Sequence, residues 1–173
     1  MKRFGPGGVL SIIAIVISLS ALGVSVFEVT SLKDQQKASV WPYLEVSTSY
    51  SGEGFEVTVS NKGIGPALLG DITLTHKGED ITSTDELDAL IVETIGEDRA
   101  FSYDTYRARN ASNSVLAPGD KIVLFGVPWT PDTRAFIEVV GQSTTAKGCY
   151  CSVYDDCWTV GSGKQPEPTR VCR

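Results

Sequence analysis

The sequence predicts a mainly β protein in which one N-terminal transmembrane helix precedes a β-sandwich with a short inserted helix and a disulfide-tied C-terminal tail. Three observations lead to this prediction. Residues 4–27 contain no charged side chain, short strand-like segments alternate with turn residues, and the four cysteines all lie within residues 149–172. The length of 173 residues accommodates one domain in addition to a membrane segment.

The uncharged segment is long enough to cross a membrane as a helix. Residues 9–22 are almost wholly aliphatic, and a helix of about 20 residues spans the ~30 Å hydrocarbon core of a bilayer. A cleaved signal peptide is the alternative, because Lys2 and Arg3 precede the run and residues 21–23 (Ala-Leu-Gly) resemble a cleavage site. We favour the retained anchor because the apolar run continues beyond that site. Both readings export the rest of the chain.

Charges on either side of this helix predict its orientation. Lys2 and Arg3 lie before it, whereas the charges in residues 28–37 are mixed in sign. Basic residues stay preferentially on the cytoplasmic side, so we expect the N-terminus inside and the C-terminal domain in the periplasm or outside. The predicted organisation is a cytoplasmic stub with the anchor, a stalk and an exported β-sandwich domain, at residues 1–29, 30–39 and 40–173, respectively.

Strand and helix signals follow the stalk. Segments rich in β-branched and aromatic residues, bounded by Gly, Pro, Asn and Asp, predict strands. These segments are residues 40–50, 55–60, 68–76, 121–127 and 134–141, followed by a hairpin with arms at 148–154 and 157–160. One helix is predicted from Ser83, which can act as the N-cap in a capping box with Glu86, to about Ile95, before Gly96.

The cysteines predict two disulfide bonds. Their number is even, and the domain that carries them is expected to be exported. Four cysteines allow three pairings; we favour Cys151 with Cys157 across the hairpin, and Cys149 with Cys172 fastening the tail. A zinc site is the alternative, but it usually needs cysteines spaced as Cys-x2-4-Cys or a nearby histidine, and neither occurs here. We therefore expect no metal.

The sequence offers no catalytic constellation. Ser-His-Asp and Cys-His chemistry requires a histidine base near the nucleophile, and the single histidine, His76, lies on a predicted surface strand. No redox Cys-x-x-Cys motif is present, and Asp155 and Asp156 fit a turn better than a calcium loop. We therefore expect no catalytic residue, no cofactor and no enzymatic activity.

Charge argues against one class of partner. The net charge of the chain is −6, and without Lys2 and Arg3 the remaining 13 basic and 21 acidic residues give −8 from residue 28 onward. An acidic surface has no attraction for phosphate backbones. We expect no nucleic-acid partner, and instead the membrane and other membrane-protein subunits.

Two sets of residues are candidates for protein contacts. Small side chains on the anchor helix allow another membrane helix to approach closely; they are Gly7, Gly8, Ser11, Ser18, Ala21 and Gly23. Aromatic side chains are enriched in interface hot spots; the late ones are Trp129, Tyr150, Tyr154 and Trp158. Core packing is the alternative for the aromatic set, and small residues are common in membrane helices generally.

Turn chemistry gives the chain a family resemblance. The Asn-x-Gly and Gly-Pro-Ala pattern of residues 61–67 and the Leu-x-Pro-Gly-Asp turn of residues 116–120 resemble the immunoglobulin-like, adhesion-type domains of prokaryotic surface proteins. Gln-Gln at 35–36 and Trp-Pro-Tyr at 41–43 are similar to segments of single-pass bacterial envelope proteins. The resemblance implies an immunoglobulin-like β-sandwich and a place in the bacterial cytoplasmic (inner) membrane. The inserted helix and the cysteine tail depart from the simple seven-strand plan.

Two functions fit these features. The first is a non-enzymatic accessory or structural subunit of a membrane-protein complex, whose helix docks in the bilayer and whose β-domain covers an extramembrane face. The alternative is a free-standing, membrane-tethered surface module that binds or adheres to a peptide, a glycan or another cell. The first is favoured because a lone anchor, a binding-type domain and the absence of catalytic groups in the sequence occur together.

Overall fold

The computed structural model describes residues 6–96, 107–108, 110–131 and 133–172. The chain forms two compact units, Met1–Ser39 and Val40–Arg173. Among the described residues, 34% lie in helices and 37% in strands. The prediction of a mainly β fold is therefore not confirmed, because the protein combines substantial helix with antiparallel sheets.

The first unit contains one helix, α1 (Pro6–Ser39), in which the apolar segment and the predicted stalk are continuous. A helix of 34 residues is about 51 Å long at ~1.5 Å per residue, whereas the bilayer core is ~30 Å thick. Within α1, the range Leu10–Ser39 contains an 18-residue window that is apolar enough to cross a membrane. The polar residues 28–39 therefore extend the same helix by roughly 18 Å beyond the apolar segment.

The second unit contains two antiparallel sheets and two α-helices in its described part. In chain order, its elements are β1 (Leu44–Ser51), β2 (Gly54–Asn61), β3 (Ala67–His76), β4 (Glu79–Ile81), α2 (Thr84–Ile95), β5 (Arg107–Ala108), β6 (Val115–Leu116), β7 (Lys121–Pro128), α3 (Arg134–Val140), β8 (Thr144–Cys151), β9 (Cys157–Gly161) and β10 (Glu167–Thr169). A 3₁₀ turn, Gly141–Ser143, connects α3 to β8.

The two sheets take strands from all along the second unit. Sheet one has the order β1-β2-β7-β5, and sheet two has the order β10-β9-β8-β3-β4, with β6 also paired to β3. The loop after β2 moves the chain from one sheet to the other. It lies close to the backbone that precedes β1, because a Cβ on Gly63 or Gly65 would overlap backbone atoms of residues 40–43.

The core lies between the two sheets. Phe55, Val57 and Val59 alternate along β2 and are fully buried, as the period-two pattern of that segment predicts. Sheet two contributes the fully buried Tyr150, whose hydroxyl oxygen accepts a hydrogen bond from the Leu44 N–H at 3.4 Å. Burial of one such aromatic side chain contributes about 3 kcal/mol or more to the hydrophobic stabilisation.

The strand predicted for residues 134–141 is wrong, because this segment forms α3. Its buried residues, Phe136, Ile137 and Val140, have the spacing of one helix face, and the Phe136 ring packs against Phe125 with centroids 6.1 Å apart. The β-branched composition suggested a strand. The helix forms instead because it places the three buried residues on one face, where they pack against the core. Thr133 fixes the start of the helix by donating from its hydroxyl to the Pro128 carbonyl.

The predicted inserted helix is confirmed as α2. The Ser83 side chain accepts from the Glu86 N–H at 3.2 Å, which is the expected N-cap. The Glu86 carboxylate reaches back one residue further than in a standard capping box and accepts from the Thr82 N–H at 2.6 Å. The hydrogen bonds that Thr82 donates to this carboxylate from its N–H and its hydroxyl lower the pKa of Glu86. Gly96 ends the helix with a positive φ of 84°.

Candidate functional site

Both disulfide bonds lie on the outer face of sheet two. The side chain of Tyr150 points into the core, so those of Cys149 and Cys151, its neighbours on β8, point to the opposite face. Cys149 is bonded to Cys172, and Cys151 to Cys157, which are the pairs favoured from the sequence. Cys151 and Cys157 are direct partners in the β8–β9 ladder. The longer bridge holds the C-terminal tail on this face.

A bulge in β3 makes room for the longer bridge. Leu69 and Ile72 pair with Tyr150 and Gly148, so two residues of β3 stand opposite Cys149 alone. One of them is Gly70, where a Cβ would lie 2.6 Å from the sulfur of Cys172. The sequence analysis missed this position, although a glycine inside a strand pattern is itself a signal of a bulge or a close contact.

The other bulge residue, Asp71, borders a groove on the same face. The groove has a volume of about 600 Å³ and is lined by Asp71, Thr73, Lys147, Gly148, Cys149, Thr159, Val160 and Val171. The Lys147 ammonium forms an ion pair with Asp80 at 2.7 Å, while Asp71 is exposed. The groove therefore offers a carboxylate beside apolar surface, and sequence reasoning had not selected either Asp71 or Thr73.

His76 has a hydrogen bond with a threonine. Its Nδ1 lies 3.1 Å from the Thr144 hydroxyl oxygen, and that hydroxyl in turn donates to the Val140 carbonyl at 2.7 Å. Burial, with a smaller effect of the neighbouring Lys77, lowers the pKa of His76. This arrangement links β3 to the end of α3. In the described ranges, no three His, Cys, Asp or Glu side chains come together in a group that could hold a metal ion.

The structure divides the aromatic interface candidates. Tyr150 is wrong as a contact residue because it is fully buried. Trp158 is half-buried and stacks on Tyr150, with ring centroids 5.4 Å apart, so core packing explains most of its surface. Trp129 and Tyr154 are each 42% exposed and remain candidates. They lie in different connections, one after β7 and the other between β8 and β9.

The small residues of α1 also separate into groups. At about 100° per residue, Gly7, Ser11, Ser18 and Ala21 fall within an arc of about 80°, whereas Gly8 and Gly23 fall outside it. Two residues that the sequence analysis did not select, Ala14 and Ser25, lie on the same arc. Together these six residues alternate in steps of four and three, which is the heptad spacing of packed helices.

We call this row, Gly7, Ser11, Ala14, Ser18, Ala21 and Ser25, the small-residue seam. The Ser18 hydroxyl donates to the Ala14 carbonyl at 2.8 Å, and the Ser11 hydroxyl donates to the Gly7 carbonyl at 3.0 Å. The hydroxyls of Ser11 and Ser18 are thus satisfied within the helix, which leaves a narrow and nearly smooth strip of surface.

Comparison of the chain with protein-family models, curated proteins and solved structures finds no match. The class of protein is therefore defined by its architecture: a helix with the length and composition of a membrane span and a separate, disulfide-bonded unit of helices and antiparallel sheets.

Proposed function

We propose that this chain is a non-enzymatic accessory or structural subunit of a membrane-protein complex, with α1 docking against partner helices in the bilayer. One observation carries the proposal. The most apolar window of α1 has no buried residue, so its whole circumference is available to lipid or to another protein. A single helix of this kind contributes to a complex only through contacts on its surface.

The small-residue seam supports docking along one side of α1. Helix association in membranes depends on close packing, since lipid tails are as apolar as leucine. Small residues in heptad register let a second backbone approach over several turns. The opposite side of the helix carries mainly large apolar side chains that suit lipid, among them Ile12, Val16, Leu19 and Phe27, together with Ser20 and Gly23.

Two serines provide a matched test of the docking side. Ser18 and Ser20 each donate to the carbonyl four residues earlier at 2.8 Å. They point about 160° apart around the helix axis, so Ser18 lies on the seam and Ser20 on the opposite side. Ser18→Leu should abolish the co-purification of partner proteins after gentle detergent extraction, whereas Ser20→Leu should preserve it. Sizing and mass spectrometry of the extracted species measure both outcomes. Wild-type protein that travels alone would refute the accessory role.

We further propose that α1 is a retained anchor in a bacterial cytoplasmic membrane, with the second unit on the periplasmic or outer side. Lys2 and Arg3 before the apolar segment and the disulfides after it support this orientation. The mass of the extracted protein tests retention, because a signal peptide would be missing. Protease digestion of intact spheroplasts should remove the second unit. Protection of that unit would reverse the orientation.

We also infer that the second unit is an immunoglobulin-like sandwich. The order β1-β2-β7-β5 beside β9-β8-β3 corresponds to strands A-B-E-D and G-F-C of the constant-type domain. In this scheme α2 is an insertion between strands C and D, and α3 connects strands E and F. Nuclear Overhauser contacts between β2 and β7, and between β3 and β8, are expected. Contacts of β2 with β3 as neighbouring strands would contradict the scheme.

A surface binding module is the second candidate function, and the groove beside Asp71 favours it. A cavity of about 600 Å³ is within the size range of small-ligand sites. In this case α1 is only a tether, so a soluble fragment beginning at Ser39 should retain the ligand, and Asp71→Lys should weaken retention. The two functions are distinguished by the part of the chain that binding requires: α1 for the accessory subunit, and the second unit alone for the surface binding module.

A further inference from the structure

The edge of sheet one along β1 is the longest unpaired strand edge in the part of the chain that the structure describes. β1 pairs with β2 on one side, and the backbone of residues 45–50 makes no hydrogen bond on the other side among the described residues. The strands at the other sheet margins, β5, β4, β6 and β10, contain only two or three residues each. Within residues 45–50 of β1, the backbone donors and acceptors that point away from β2 thus form an open row.

β1 lacks the devices that usually protect such an edge. Natural edges are blunted by shortness, charge, proline or bulges. β10 contains Pro168, and β4 carries Glu79 and Asp80. β1 has neither proline nor lysine, its ladder with β2 is regular, and Glu45 is its single charge. This is unusual in a region whose net charge is −8, and it leaves residues 46–51 as a neutral strip.

We propose that two copies of this chain pair through their β1 edges, antiparallel and centred on Thr48, to form one continuous sheet across the dimer. In this register, Glu45 of one copy lies opposite Ser51 of the other, so no like charges meet despite the acidic surface. The same surface is used on both copies, as two-fold symmetry requires. The proposal does not depend on the proposed function of α1.

The space beside the edge suits this register. A groove of about 410 Å³ runs along β1, lined by Glu45, Val46, Ser47, Thr48, Ser162, Gly163, Lys164 and Gln165. Pairing centred on Thr48 places Tyr50 of the second copy opposite Val46, which lines that groove. Tyr50 is 51% exposed in the single chain, and an aromatic residue beside a β-branched one is a favourable cross-strand pair. The dimer therefore covers an exposed aromatic ring.

Charge exchange at the centre of the interface tests the proposal. Thr48 is exposed, and in the dimer it lies opposite Thr48 of the second copy. Full-length Thr48→Lys and Thr48→Glu proteins in detergent should each dimerise at least about tenfold more weakly than wild type, because like charges then face each other. Mixing the two proteins should restore the dimer. Sedimentation velocity at several concentrations measures all three.

Matched variants separate this interface from others. Thr159 is also an exposed strand threonine, but β10 covers its strand, so Thr159→Lys and Thr159→Glu should dimerise like wild type. Amide hydrogen exchange in residues 45–51 should slow as the protein concentration rises. A wild-type protein that stays monomeric, or Thr48 variants that dimerise normally through α1, would overturn the proposal. So would a mixture that remains monomeric.

Discussion

Asn61 shows how one buried polar residue can hold three segments together. Its Nδ2 donates to the carbonyls of Gly65 at 2.8 Å and Leu116 at 3.0 Å, and its Oδ1 accepts from the Gly63 N–H at 3.0 Å. It also accepts a longer hydrogen bond from the Tyr43 N–H. The side chain is fully buried, so water cannot replace these partners. The Asn-x-Gly pattern seen in the sequence is therefore a junction between the segment that precedes β1, strand β6 and the loop that changes sheets.

The residue-scale prediction is that Asn61→Ala lowers the free energy of unfolding by about 3 kcal/mol, because several buried backbone groups lose their partner. Urea unfolding followed by circular dichroism measures the change. Asn110→Ala is the control: Asn110 is exposed and, within the described part of the chain, its side chain accepts only from the Ser112 N–H in a local turn. The control should cost less than about 1 kcal/mol. Equal losses would remove the special role of Asn61.

At the element scale, the two bridges constrain segments of different length. Cys149–Cys172 spans 23 residues and Cys151–Cys157 spans 6. The loop-entropy relation gives about 3 kcal/mol for the longer bridge and about 2 kcal/mol for the shorter one. The longer bridge also fastens the tail that borders the groove near Asp71, so it should matter more for stability and for tail order.

The corresponding prediction compares paired substitutions that leave no unpaired thiol. Cys149→Ser with Cys172→Ser should lower the free energy of unfolding more than Cys151→Ser with Cys157→Ser, by roughly 1 kcal/mol. Only the first pair should make the chain sensitive to protease after residue 161, since β10 and the tail lose their covalent tie. A larger loss from the shorter bridge would show that strain or local packing decides instead.

For the whole molecule, the buried Tyr150 makes the free energy of unfolding depend on pH in the alkaline range. Burial raises the pKa of Tyr150 to about 12, whereas an unfolded tyrosine titrates near pH 10. The unfolded chain therefore releases this proton first. The contribution to stability is complete below about pH 10 and falls by about 2–3 kcal/mol as the pH rises through about 12.

This prediction is checked by urea unfolding at about pH 9 and about pH 12. Wild type should lose more stability between the two conditions than Tyr150→Phe, which keeps the ring but has no ionisable hydroxyl. Phenolate absorbance should also show one of the six tyrosines titrating only near unfolding. If the two proteins lose the same stability, the buried hydroxyl does not control the alkaline limit.

Local signals were sufficient wherever neighbouring residues carry the whole cause. The apolar run predicts α1 because membrane length and residue rise fix the requirement, and Ser83 with Glu86 predicts α2 because capping is local. The disulfide pairs followed from hairpin proximity and from the one cysteine left in the tail. For α1, α2 and the Cys151–Cys157 bridge, the residues that decide the structure are close in sequence, whereas Cys149 and Cys172 are 23 residues apart.

The sequence by itself determined the apolar helix and the inserted helix, and it favoured the observed cysteine pairs among the three pairings that four cysteines allow. Only the tertiary structure decided that residues 134–140 are helical and that Tyr150 belongs to the core and not to an interface. It also decided that one edge of β1 is unpaired among the described residues. These outcomes depend on which surfaces meet after the chain folds back on itself. Phe136 of α3 is buried against Phe125 of β7, a contact between two elements. The Tyr150 hydroxyl accepts from the Leu44 N–H, 106 residues away in the chain. No pattern within a single segment encodes either contact.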